Sequence, residues 1–285
     1  MFKVLFKNNG VLPLDKEKDK ITFWGLNVIA PTFGGLIGST TSVNYDAGQT
    51  TVTLVDAMES LGFEINEKML DLYNSEDAKP FYRKAAFFGQ EVPGHSLIPV
   101  FWPMFETADT YIIGELPADK YTEEVLDSAK DTTAIVFISR DSSEASDYAV
   151  STMKDPNGDH FDHPLGLSTN ERAMIELAKE NSNGKVIVVI NADVTMEIND
   201  LKQDAGISAI VWAGLPGAYG FRGVADVISG DVNPSGHIAD TYAVDSTSAP
   251  SMQNFGLFFY TNEGLDPAND KANWYIVEAE GIYVG

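Results

Sequence analysis

Hydrophobic and polar positions along this chain follow two alternating periods. Short apolar runs of strand character occur at Ile21-Thr22-Phe23-Trp24, at Thr133-Ala134-Ile135-Val136-Phe137-Ile138, and over residues 185–190 and 207–212. The run at 185–190 is nearly continuous in apolar residues, as expected of a strand buried on both faces of a parallel sheet. Phe63-Glu64-Ile65 predicts one more strand. Between these runs the spacing turns helical. Leu54, Val55, Met58 and Leu61 share one face, and Gly62 marks the stop. Residues 67–73 and 121–129 form two further helical segments. Ser168-Thr169-Asn170-Glu171 is a capping box opening a helix with Ala173, Met174, Leu177 and Ala178 on one face. A last helix over 218–229 is predicted to stop at Gly230. Alternation of this kind predicts an α/β fold, a mostly parallel sheet with helices on both faces.

Residues 77–115 break the rhythm. Pro80, Pro93, Pro99 and Pro103 interrupt them and aromatic residues crowd them, so they are expected to form an irregular insertion in one domain spanning 1–285. Length supports that economy, since 285 residues suffice for one large α/β domain. No repeat or low-complexity linker divides the chain.

Charge narrows the partners. Lys and Arg total 19 against 42 Asp and Glu, a net charge of −23 that repels nucleic acid and anionic membranes. No apolar run approaches membrane-spanning length. The first residues lack the apolar core and cleavage site of a signal peptide, which leaves the compartment open. Without cysteine there is no disulfide, thiolate chemistry or Cys-based zinc site. Asn233-Pro234-Ser235 fails as a glycosylation acceptor because its middle residue is proline.

Ligands of open parallel sheets bind beyond the C-terminal ends of the strands, which directs attention to the segment leaving Ile138. It runs over residues 140–166, and structureless connections that long often carry function. It holds Asp141, Glu144, Asp147, Asp155, Asp159 and Asp162 with His160 and His163. Neighbouring negative charges raise a carboxylate's pKa, so such a loop can keep one carboxyl group protonated. The bland alternative is a solvated acidic loop.

Ile138-Ser139-Arg140-Asp141-Ser142-Ser143-Glu144-Ala145-Ser146-Asp147 resembles the strand-end segment of family 3 glycoside hydrolases, commonly Gly-Arg-x-x-Gly-Glu-Gly-x-Asp-Arg. Three further stretches are similar to the same family: Lys7-Asn8-Asn9-Gly10-Val11-Leu12-Pro13-Leu14, Leu167-Ser168-Thr169-Asn170-Glu171 and Gly230-Asp231-Val232-Asn233-Pro234-Ser235-Gly236. Ser139, Ser143 and Ala145 depart from the usual glycines, Tyr148 from a frequent arginine, and Pro216-Gly217-Ala218-Tyr219-Gly220 from Pro-Gly-Gln-Glu-Gly.

The resemblance implies the family's α/β sandwich domain, a six-stranded (α/β)6 sheet of flavodoxin-like layering. It further implies that Glu144 is the general acid/base of a β-glucosidase-type retaining hydrolase, and that Arg140, Asp147 and Tyr148 bind the glycoside substrate. Burial and the neighbouring Asp141 and Asp147 would keep Glu144 protonated at rest. Retaining hydrolysis needs a second carboxylate about 5–5.5 Å away. In this family it comes from a (β/α)8 barrel whose motifs are absent here, so the chain is expected to be an excised domain, inactive until the barrel joins it. Which glycoside is cleaved, and whether the barrel precedes or follows, stay open. The competing reading is a non-catalytic sugar-binding or protein-docking module. A flavodoxin-like cofactor binder is disfavoured, because Gly34-Gly35-Leu36-Ile37-Gly38-Ser39-Thr40 lacks a phosphate loop's lysine and spacing. No cofactor is expected, and His160 and His163 with Asp159 and Asp162 match no recognised metal pattern. Phe101, Trp102, Phe105, Tyr148 and Trp212 are candidate sugar platforms.

Overall fold

The apolar runs at 133–138 and 185–190 become the two central strands of one sheet. A computed structural model describes residues 3–34, 50–87, 90–93, 112–140, 155 and 157–248, with the backbone alone at 84–87 and 90–93. β1 (Val4–Asn8), β2 (Ile21–Trp24), β5 (Thr133–Ser139), β6 (Val186–Asn191) and β7 (Ala209–Trp212) form a five-stranded sheet in the order β1-β7-β6-β5-β2. The three pairings from β2 to β7 run parallel through β5 and β6, and β1 closes the edge antiparallel to β7 with an irregularity between Leu5 and Lys7. A separate hairpin pairs β3 (Lys84–Phe87) with β4 (Gln90–Pro93) inside the irregular 77–115 region.

Every residue of β5 and β6 is buried, so both faces of the sheet centre are covered. The covering helices are α1 (Leu54–Ser60), α2 (Glu67–Tyr73), α3 (Glu123–Ala129), α4 (Thr169–Glu180), α5 (Asn199–Gln203) and α6 (Phe221–Ser229). α1 packs against α6, α2 against α3, and α4 over β5 and β2. Phe221 of α6 reaches the sheet, its ring 5.8 Å from that of Phe137. Local signals set most boundaries. Thr53 and Ser168 each close a full capping box, with Asp56 and Glu171 as the reciprocal partners.

Two expectations change. The sheet has five strands among the described residues, where six were expected. The run at Phe63-Glu64-Ile65 makes only one parallel bridge, Ile21 to Ile65, through Ile21 N to Glu64 O and Asn66 N to Ile21 O, both 2.8 Å. It has no room to continue, because Asn66 is already the N-cap of α2. In the other direction, β1 forms at a segment whose pattern predicts no strand. Its residues are mostly half-buried, and antiparallel pairing with β7 makes them a strand.

Candidate active site at the C-terminal ends of the parallel strands

β2, β5, β6 and β7 all end on one edge of the sheet, and the chain leaving them is sewn together by a buried amide. The Asn191 Oδ1 atom accepts from Thr32 N at 2.8 Å and from Ser139 Oγ at 3.0 Å. Its Nδ2 donates to Thr32 O and Gly214 O at 2.9 and 2.8 Å. One side chain thereby fixes the exits of β2, β5 and β7 relative to β6. Gly25, directly after β2, has φ +106, and a Cβ there would lie 2.5 Å from Phe137 O, so only glycine lets this exit pass over β5.

Arg140 follows β5, its N–H donating to Asn191 O at 3.0 Å. Its side chain is wholly buried. Nε donates to Pro164 O at 2.5 Å, Nη1 to Ser139 O at 2.8 Å, and Nη2 to Gly166 O at 2.7 Å. Nη1 and Nη2 also meet Glu171 Oε1 and Oε2, each at 2.7 Å. Glu171 in turn accepts from Ser168 N at 2.9 Å as the capping-box partner of α4. One guanidinium therefore ties the first residue of the 140–166 connection to its last. Arg140 was expected to bind substrate, and the structure places its guanidinium on Glu171 and on the carbonyls of Ser139, Pro164 and Gly166. The group faces inward, and its donors are held by Glu171 and backbone carbonyls.

The far half of this connection is rich in carboxyl groups held above their ordinary range by burial. Asp155 is pushed up to about 6, with Asp159 adding like charge, against the backbone bonds it accepts from Asn157 and Ile113. Asp159 is also raised, although its Oδ1 accepts from His160 N and Asn170 N at 2.9 and 3.0 Å. Glu115 was not anticipated. It is buried, raised to about 8, and accepts from Leu26 N, Leu116 N and the Tyr121 hydroxyl at 3.1, 2.8 and 3.1 Å. Asn170 Nδ2 donates to its carbonyl, linking it to the start of α4. A lone acid after Ile112-Ile113-Gly114 was the one signal for it in the sequence. Lys3 was missed as well: it donates to Ala213 O at 2.8 Å, and burial lowers its amine to about 8.

Other candidates do not converge. His160 is exposed beside Asp162, whereas His163 Nε2 lies 3.2 Å from Glu197 Oε1. No group of three or more metal-binding side chains occurs among the described residues. Trp212 is half-buried, with Nε1 donating to Ala192 O at 2.7 Å and its ring against Gly214. Glu144, Asp141, Asp147 and Tyr148 lie outside the described residues, as do Phe101, Trp102, Phe105 and residues 35–41. At the opposite end of the chain, Gly236 of the Asn-Pro-Ser-Gly turn donates to Lys3 O at 3.0 Å. A Cβ there would stand 2.6 Å from that oxygen, which explains the glycine.

A family model described as the glycosyl hydrolase family 3 C-terminal domain matches residues 3–285. Beta-glucosidase A of Butyrivibrio fibrisolvens is 31% identical over 196 residues, covering 62% of this chain and 22% of that protein. A beta-glucosidase of Ruminococcus albus is 28% identical over 285 residues, covering 99% of this chain and 24% of the relative. The chain thus spans about a quarter of the length of these relatives. Among solved structures, beta-glucosidase 3B of Thermotoga neapolitana in complex with glycerol superposes with a TM-score of 0.63 at 24% identity. That match covers 87% of this chain and 30% of the other. A beta-glucosidase of Paenibacillus barengoltzii gives 0.60 at 24% identity, over 89% and 24% of the two chains. Both share the fold.

Proposed function

Because the chain belongs to glycosyl hydrolase family 3, as that family's C-terminal domain, we propose that it is the α/β portion of a retaining β-glucosidase-type hydrolase and supplies the general acid/base from Glu144. The observation that carries this reading is the clamp on the 140–166 connection, whose two ends meet on the buried Arg140 guanidinium. A loop closed at its base, at the C-terminal edge of a parallel sheet, is where this architecture presents chemistry. Glu144 falls within it, Asp147 and Tyr148 are the proposed sugar contacts, and Arg140 holds the loop rather than the sugar.

The electrostatics of the same rim favour a protonated carboxyl. Asp155, Asp159 and Glu115 are all raised, burial being the largest cause in each. A glutamic acid that keeps its proton near neutrality can deliver it to the leaving oxygen and retrieve a proton from water in the second step. The nucleophilic carboxylate belongs on a separate barrel domain, in keeping with the fraction of the relatives that this chain covers. On this reading the 285 residues alone do not turn over a glycoside.

The test is hydrolysis of aryl β-glucosides by the domain joined to its barrel partner, with and without Glu144→Gln. Loss of the acid should slow substrates with poor leaving groups by about 10²- to 10⁴-fold, and activated substrates much less. Equal loss on both kinds would remove Glu144 from the acid role. Turnover by the isolated chain would mean that it holds both carboxylates.

A further inference from the structure

We infer that the outer edge of the sheet carries a second, non-catalytic binding site, for a neutral sugar-sized polyol, in the cleft between β1, α5 and residues 238–244. This inference does not depend on the role of Glu144. β1 is the edge strand, and the chain leaving the Gly236 turn crosses beside it after the bond to Lys3 O. The cleft is open on one side and measures about 340 Å³, at the lower end of the roughly 300–1,000 Å³ typical of small-molecule sites. β1 lies three strands from β5, about 14 Å across a sheet with 4.8 Å spacing. An occupant here would leave the 140–166 connection free.

The lining identifies the ligand class. One wall is apolar: the Phe6 and Tyr242 rings meet edge-on at 5.0 Å, and Ile198 is buried behind them. Among the described residues four large apolar side chains are exposed, and two of them, Ile238 at 41% and Val244 at 69%, line this cleft. That concentration of wetted apolar surface favours a ligand with an apolar face. The polar groups are Asp240, Lys202, Asn199 and the Thr241 hydroxyl. One amine and one carboxylate cancel in charge, and the amide both donates and accepts. Such a set suits hydroxyl groups, which themselves do both. An anion is disfavoured, because Asp240 and Asp193 lie close enough to Tyr242 to add to the burial that lifts its hydroxyl to about 12. A pyranose has the required shape, with a C–H face for the aromatic wall and a rim of hydroxyls for the polar one.

The experiment is a titration of the isotopically labelled 285-residue chain with methyl β-glucoside, followed by amide chemical shifts. The expected result is saturable binding with a Kd on the order of 1–10 mM, where few contacts leave little net affinity. The shifts should be confined to the neighbourhood of Phe6, residues 198–202 and residues 238–244. Asp240→Asn and Lys202→Met alter exposed groups, so each should weaken binding about fivefold or more, the worth of one hydrogen bond, without moving the Tm. Failure to saturate at about 100 mM, far beyond the expected Kd, would overturn the inference. So would saturation with shifts elsewhere, indifference to both variants, or tighter binding of glucose 6-phosphate than of the neutral sugar.

Discussion

Arg140 and Glu171 meet through two parallel bonds of 2.7 Å in a site from which solvent is excluded, although 31 positions separate them. The pair joins the end of β5 to the first turn of α4, so the strand that presents the connection and the helix that receives it cannot drift apart. Glu171 does three things at once: it completes the capping box, accepts the guanidinium and adds negative charge to the Glu115 and Asp159 neighbourhood. Removing one partner strands a buried charge. Glu171→Gln or Arg140→Met should each cost about 3–5 kcal/mol of stability, measured by urea unfolding. The combined Arg140→Met, Glu171→Leu variant should cost less than the sum, because neither charge is then left unpaired.

Glu115 predicts a pH dependence with a definite sign. Its folded pKa is raised from about 4.5 to about 8, so between those values the folded state holds a proton that the unfolded state releases. Stability must then fall as pH rises through that window and level off above it. Asp155, raised from about 3.8 to about 6, acts in the same direction but is complete by then. Between pH 6 and 8 the slope of the urea midpoint should flatten in Glu115→Gln relative to the parent chain. An unchanged slope would mean that Glu115 is ionised in the fold.

Asn191 offers a test of how the strand exits are joined. Asn191→Leu keeps the volume roughly but leaves Thr32 N and the Thr32 and Gly214 carbonyls without their partner. A loss of about 3 kcal/mol or more is expected, since each stranded buried group costs roughly 1–3 kcal/mol. Amide exchange should quicken most at Thr32, whose N–H loses its acceptor, if the loss is local.

Two glycines should respond oppositely to alanine. At Gly236 the new methyl would meet Lys3 O at 2.6 Å, backbone that cannot swing aside. Gly236→Ala should therefore destabilise by about 1–3 kcal/mol. Gly223 lies within α6 with nothing within 4 Å of a Cβ. Gly223→Ala should stabilise by about 0.4–1 kcal/mol through the unfolded chain and helix propensity. Thermal unfolding of the two variants side by side reads both signs.

Sequence by itself determined the elements whose signals are local. Apolar continuity over 133–138 and 185–190 marked β5 and β6. Helical spacing marked α1, α2 and α6, and Ser168 with Glu171 marked the start of α4, because caps and amphipathic faces depend on residues within a turn or two of each other. The motifs also identified the family. Tertiary structure decided the rest. α5 spans five residues, too few to show a period, and β1 is a strand only through β7. Phe63-Glu64-Ile65 carried strand character that the adjoining helix start cut to a single bridge. The site was legible as a long acidic connection with an arginine at its head. What that arginine holds was not, nor was the burial of Glu115 and Lys3. The Asn191 bond to Thr32 spans 159 positions and the Lys3 bond to Ala213 spans 210. Partners so distant are chosen by the strand order β1-β7-β6-β5-β2. Their geometry and protonation follow from being buried together, a condition that exists only once the sheet has assembled.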